Sequence, residues 1–273
     1  MLLISIFSTV MNAQPLKVPA PSPLQTIKQN FALGEVSIEY SRPHAKNRVI
    51  FGDLVPYGKI WRTGANASTR ISFSDDVKLE GVGVPAGTYA LYSIPGKDVW
   101  EIMLYKDLSL GGNTADYKTE NEVLRLKVKP TLSTEQVESF TIQINNVKPA
   151  SASIDLSWEK TRVSIALGAD IDERIMKGID KAMNVDSRPY YQSASYYFEN
   201  NKDLNKALEW VNKAIEQSPG AFWMTMLKAR IQLKSGDKKG AIESAEKTIQ
   251  IAREAKSDDY VKMAEKLISD ARK

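Results

Sequence analysis

The chain has 273 residues, 42% of them hydrophobic and 26% charged, which excludes a disordered polymer and a membrane-embedded bundle and leaves room for two ordinary domains. A net charge of +4 falls well short of the dense positive field of a nucleic-acid binder, so no nucleic-acid partner is expected. Cysteine is absent, which excludes disulfides, thiolate catalysis, thiolate zinc sites and a lipid-modified N-terminal cysteine.

At the start of the chain an apolar run from Leu2 to Val10 is followed by Asn12 and Ala13. This reads as a signal peptide over residues 1–13, cleaved after Ala13, and implies a periplasmic or secreted product. Because no Lys or Arg precedes the run, a buried N-terminal strand is the other reading. Spanning a bilayer takes about 20 apolar residues, so no transmembrane span is expected here or elsewhere. Residues 14–23 hold four prolines and predict an extended leader.

From Glu35 to Leu167 apolar residues recur at alternate positions, the period of half-buried strands. Val36, Ile38 and Tyr40 form one set, Ile71 and Phe73 another. Trp100, Ile102 and Leu104 follow, then Leu124, Leu126 and Val128. Phe140, Ile142 and Ile144 precede Ile154, Leu156 and Trp158. A Glu159-Lys160-Thr161 turn then predicts a hairpin back through Val163, Ile165 and Leu167. Pro85-Ala86-Gly87 and Pro95-Gly96-Lys97-Asp98 supply turns between strands. The Asp107 to Asn121 stretch, although it contains Gly111-Gly112-Asn113, lacks the flanks of a phosphate-binding glycine loop and reads as a plain long loop. Residues 24–168 are thus expected to form an antiparallel β-sandwich, or a barrel-like variant of it.

After Gly168 the period becomes helical, with Asp170 as a cap and Ile171, Ile175, Ile179 and Ala182 on one face. Residues 169–273 are expected to be all-α, which makes the whole an α+β two-domain fold. Asp203, Ala207, Leu208, Glu209 and Ile215 recur thirty-four positions later as Asp237, Ala241, Ile242, Glu243 and Ile249. This spacing, with Val211, Ala214 and Pro219, resembles tetratricopeptide repeats over residues 188–255. Thr225 and Thr248 depart from that pattern, one replacing a bulky residue and the other a small one. An aromatic-rich stretch that includes Tyr190, Tyr197, Phe198, Trp210 and Trp223 fits either a peptide groove or a helix-pair core.

Between Arg42 and Arg70 the chain concentrates its charge: Arg42, Lys46, Arg48, Lys59, Arg62 and Arg70 face a single acid, Asp53, a local excess of five positive charges. With Tyr40, His44, Tyr57, Trp61 and Asn66, this segment can recognise a carboxylate, phosphate or acidic sugar, since Arg offers a planar fork of donors and Trp a stacking face. The plainer reading is that the arginines satisfy loop carbonyls and pair with acids elsewhere. The candidate ligand-binding residues are therefore Tyr40, Arg42, His44, Arg48, Tyr57, Trp61, Arg62, Asn66 and Arg70.

The stretches YSRP (residues 40–43), FGDLVPYGKIWRTGAN (51–66), PAGTYALYSIPG (85–96) and SWEKTRVSI (157–165) resemble an uncharacterised family of exported β-rich proteins, domain of unknown function 2911. The resemblance implies export and a β domain, and it brings no catalytic residue with it. His44 is the only histidine; it lacks a surrounding catalytic motif and a second histidine for a metal site, so no metal or other cofactor is expected. Two functions follow as expectations. The first is a noncatalytic envelope protein that binds an anionic small molecule or glycan, or an envelope protein through its helices. The second is an extracytoplasmic hydrolase of glycan or peptide material that uses carboxylates, or His44 with Ser41 or Asp53.

Overall fold

The computed structural model describes residues 18–184 and 188–273. The expected signal peptide and the first part of the leader lie outside these residues. The chain divides into two compact units, one ending at Ile171 and the other beginning at Asp172.

Among its described residues the first unit contains ten strands: β1 (Leu24–Phe31), β2 (Gly34–Ser41), β3 (Ala65–Phe73), β4 (Val77–Leu79), β5 (Val82–Val84), β6 (Gly87–Ile94), β7 (Trp100–Tyr105), β8 (Glu122–Val128), β9 (Thr131–Asn145) and β10 (Ser151–Gly168). They form a six-stranded sheet, β1-β2-β3-β6-β7-β8, and a four-stranded sheet, β5-β4-β10-β9, with every pairing antiparallel. Neither sheet closes on itself, so the unit is a sandwich. Register follows the alternation read from sequence: Ile38 opposes Ile71, Leu91 opposes Leu104, Ile102 opposes Leu126 and Leu156 opposes Ile142. These side chains meet in one core, because a pleated strand sends every second residue to the same face.

One expected hairpin is absent. Glu159 to Thr161 is not a turn; it lies inside the single 18-residue strand β10, where the register against β9 shifts on both sides of Glu159. Glu159 has φ +49°. The buried residues Ile154, Leu156 and Trp158 are even-numbered, whereas Val163, Ile165 and Leu167 are odd. A bulge that inserts an unpaired residue switches the parity while the strand continues.

The loop from Asp107 to Asn121 is also more than a connection. Its Leu108, Leu110 and Tyr117 pack on Ala90, Tyr92, Met103 and Tyr105, a second apolar cluster on the outer face of the six-stranded sheet.

Among its described residues the second unit has six helices: α1 (Asp172–Ala182), α2 (Tyr190–Glu199), α3 (Leu204–Gln217), α4 (Phe222–Lys234), α5 (Lys238–Glu254) and α6 (Asp258–Ala271). Asp170 does not cap α1; it pairs with Lys78 at 2.6 Å. Asp203 and Asp237, thirty-four residues apart, cap α3 and α5 by accepting first-turn backbone N–H bonds. Ala194, Ala207, Ala229 and Ala241 are fully buried in the helix-pair cores, where a small side chain permits close approach. Tyr197, Phe198 and Trp210 also lie in that core, while Trp223 is partly exposed. Thr225 and Thr248 are both buried, and their hydroxyls are hydrogen-bonded at 2.9 Å. No described helix is long and apolar enough to cross a membrane.

Candidate functional site

The 23 residues between β2 and β3 carry most of the basic segment, and both sheets hold them in place. Pro43 and Ala45 extend the free edge of β9, through Phe140 N–H to Pro43 O at 2.9 Å and Ala45 N–H to Glu138 O at 2.7 Å. Further on, Trp61 pairs with Ser93 of β6. Between these anchors Gly52 takes φ +100°, and a β-carbon there would lie 2.7 Å from Tyr57 Cε2. Only glycine lets the chain fold that closely over the Tyr57 ring.

Trp61 is only 9% exposed. Its indole stacks on Trp158 at 6.0 Å and meets Phe51, Trp100 and Phe140 edge-on, and its Nε1–H donates to Gly64 O at 3.1 Å. The indole is a core plate with one edge showing and does not offer an open stacking face.

Above it lies a cavity of about 370 Å³, lined by Arg48, Lys59 and Arg62, by the apolar side chains Leu54, Val55 and Ile60, and by the edges of Trp61 and Trp158. No Asp or Glu lines it. Arg48 is fixed by Nε–H to Ala45 O at 3.0 Å and Nη2–H to His44 O at 2.7 Å. Arg62 donates weakly from Nη1 to Gly112 O at 3.4 Å, and its buried Nε has no hydrogen-bond partner among the described residues. Gly112 can approach so closely because a β-carbon there would lie 2.4 Å from Asn66 O. The long loop thus reaches the site at the glycine pair.

Three of the expected residues come together here: Arg48, Trp61 and Arg62. Lys59 joins them; its place in the sequence cluster of cations was the signal for it. The other candidates stand elsewhere. Tyr40 is a strut between the sheets, 1% exposed, its hydroxyl donating to Gln25 Oε1 at 2.9 Å and accepting from Ile142 N–H at 2.8 Å. Burial pushes its pKa up. Arg42 is tied to β9 through Phe140 O and Thr141 Oγ1. Asn66 holds Ser22 O and Ser41 Oγ. Arg70 is exposed on the face of β3 opposite Ile71 and Phe73. Tyr57 lines a separate cavity of about 130 Å³ with Phe51, Trp100 and Lys97. His44 meets neither Ser41 nor Asp53; its Nδ1 lies 2.8 Å from Ser139 Oγ.

Both readings of the arginines receive a partial answer. Arg42, Arg48 and Arg62 do satisfy carbonyls, but none of the six cations of the segment forms an ion pair with a described carboxylate. Among the described residues no cluster of three or more His, Asp or Glu side chains is arranged to hold a metal ion.

Residues 22–167, just over half of the chain, match the family described as "Protein of unknown function (DUF2911)". No curated protein matches the chain, and no solved structure does.

Proposed function

The chain belongs to the DUF2911 family, whose description assigns no activity, and from the geometry of its β unit we propose that it is an exported, noncatalytic binding protein that takes an anionic ligand at Arg48, Lys59 and Arg62. The observation that carries this reading is a cavity walled by three cations, with no acid in its lining and no ion pair on any of the three. Cations left without carboxylates repel one another, and a bound anion removes that penalty. Export rests on the apolar run before Ala13. We read the helical unit as a tetratricopeptide-like array that contacts an envelope protein, on the strength of the thirty-four-residue spacing and its paired aspartate caps.

The test is thermal unfolding of the full chain with phosphates, carboxylates and acidic glycans at matched ionic strength. At a hundredfold excess over Kd a ligand stabilises by about 2.7 kcal/mol, or roughly 5–11 °C for a unit of this size. The triple variant Arg48→Gln, Lys59→Gln, Arg62→Gln should lose the shift. Unchanged melting across the whole panel would overturn the proposal.

A further inference from the structure

We infer that the ligand is an amphiphilic anion: one carboxylate, phosphate or sulfate head on a compact apolar body about the size of a single ring, as opposed to a hydroxyl-rich glycan. The inference rests on the anion-binding reading of the same cavity and narrows its ligand class.

The argument is an inventory of donors and acceptors. Arg and Lys carry only donors, and the Trp indole N–H is a donor too. Of the side chains that line the cavity, only the Ser22 hydroxyl can accept a hydrogen bond. On the backbone, six of the thirteen lining carbonyls already accept a hydrogen bond. Ser22 O takes Asn66 Nδ2–H and Gly64 O takes Trp61 Nε1–H. Backbone N–H groups reach Pro43 O, Val55 O, Trp61 O and Arg62 O at 2.9 to 3.1 Å.

A sugar hydroxyl both donates and accepts. Each one brought into this cavity would find side-chain donors for its oxygen and, Ser22 aside, no side-chain acceptor for its hydrogen, so the side chains reward a group that only accepts over one that must also donate. A carboxylate or phosphate, all acceptors, suits the three cations. The remaining wall, formed by Leu54, Val55, Ile60 and the indole edges, gives the rest of the ligand an apolar contact. A volume of about 370 Å³ is near the small end for ligand pockets, which limits the body to about one ring or a short chain.

Isothermal titration of the full chain, with indole fluorescence as a second signal, tests this with five probes: 3-phenylpropionate, phenyl phosphate, inorganic phosphate, glucuronate and 3-phenylpropionamide. The two aryl anions should bind at least tenfold more tightly than inorganic phosphate or glucuronate, and the amide should not bind detectably. Glucuronate or inorganic phosphate binding as tightly as the aryl anions would overturn the amphiphile inference and leave the anion reading standing. The amide binding as tightly as its acid, or no probe binding at millimolar concentration, would overturn both. Arg62→Gln should weaken the aryl anions at least tenfold. If that variant does not fold, the exposed Arg48→Gln and Lys59→Gln carry the same expectation, and unchanged affinity in both removes the inference.

Discussion

Replacing Trp61 with alanine separates a core plate from a surface platform. An exposed stacking tryptophan can usually be truncated within about 0.5 kcal/mol of stability. Trp61 is 9% exposed, has four aromatic neighbours and spends its indole N–H on Gly64 O. Truncating such a residue costs about 3–5 kcal/mol, and the ring contacts, about 0.5–1.5 kcal/mol each, push it toward the upper end. At roughly 2–4 °C per kcal/mol for a unit of this length, the midpoint should fall by about 6–20 °C. The assay is thermal unfolding of the full chain followed by near-ultraviolet circular dichroism, which reads packed indoles. Trp61→Phe keeps a ring in place and should lose about a third of that shift. A fall of less than about 2 °C for Trp61→Ala would refute the placement of this residue. The same reasoning makes Trp61 a poor probe of ligand binding, since its removal would act through the fold.

Gly52→Ala should cost about 1–3 kcal/mol, because alanine is strained at φ +100° and its β-carbon meets the Tyr57 ring. Adding Tyr57→Ala should recover only the clash, and wild-type melting of the single variant would contradict this. Asp155 is 2% exposed; its burial raises the carboxyl pKa, but bonds from Asn145, Ser164 and Arg162 outweigh this and hold it below the usual carboxylate value. A depressed folded pKa contributes stability above the unfolded value near 3.9 that is lost as pH falls through the folded pKa. Asp155→Asn should therefore cost about 1.5–3 kcal/mol at pH 7 and narrow the gap to wild type below about pH 4; a gap independent of pH would refute the assignment. Asp203→Ala and Asp237→Ala should each lower helix stability by about 0.5–2 kcal/mol, read at 222 nm, and no change in either would deny them their capping role.

Most of the strand pattern was legible because the core faces of both sheets follow strict alternation, as at Ile38 with Ile71 and Leu156 with Ile142. The bulge at Glu159 was misread as a turn, although its signature was present: the apolar parity changes between Trp158 and Val163 with no glycine or proline between them. In the helical unit Thr225 and Thr248 each break the repeat pattern, yet they do so together, as hydrogen-bonded partners in one core. No single position reveals such a pair, because its compensation lies twenty-three residues away. At the cavity, the sequence groups the cations but does not sort them. Arg42 faces β9 and Arg48 the cavity, a difference set by how the β2–β3 segment crosses from one sheet to the other. Nor could it foresee the burial of Trp61, which depends on Phe140 and Trp158 arriving from strands about eighty to a hundred residues away.

The β unit has two further arginines, and both are paired: Arg125 lies between Glu101 and Glu122, and Arg162 meets Asp155. Carboxylates thus meet the guanidinium groups of Arg125 and Arg162, whereas on the β2–β3 segment Glu138 and Glu159 accept only from the backbone N–H groups of Lys46 and Ile50 and leave the cavity cations without an ion pair. If the loop cations served stability alone, an acid among them would be an improvement. Leu54→Glu supplies one at a half-exposed wall position of the same cavity. A partly solvated ion pair contributes about 0.2–1 kcal/mol, so the free protein should melt about 0.5–4 °C higher. The new carboxylate would occupy the position of the ligand's head, and affinity for 3-phenylpropionate should fall at least tenfold. Raised stability with lost binding is the signature of a site that holds its charge uncompensated for a ligand. A variant that melts lower than wild type and binds as well would mean that the three cations do not act as one field.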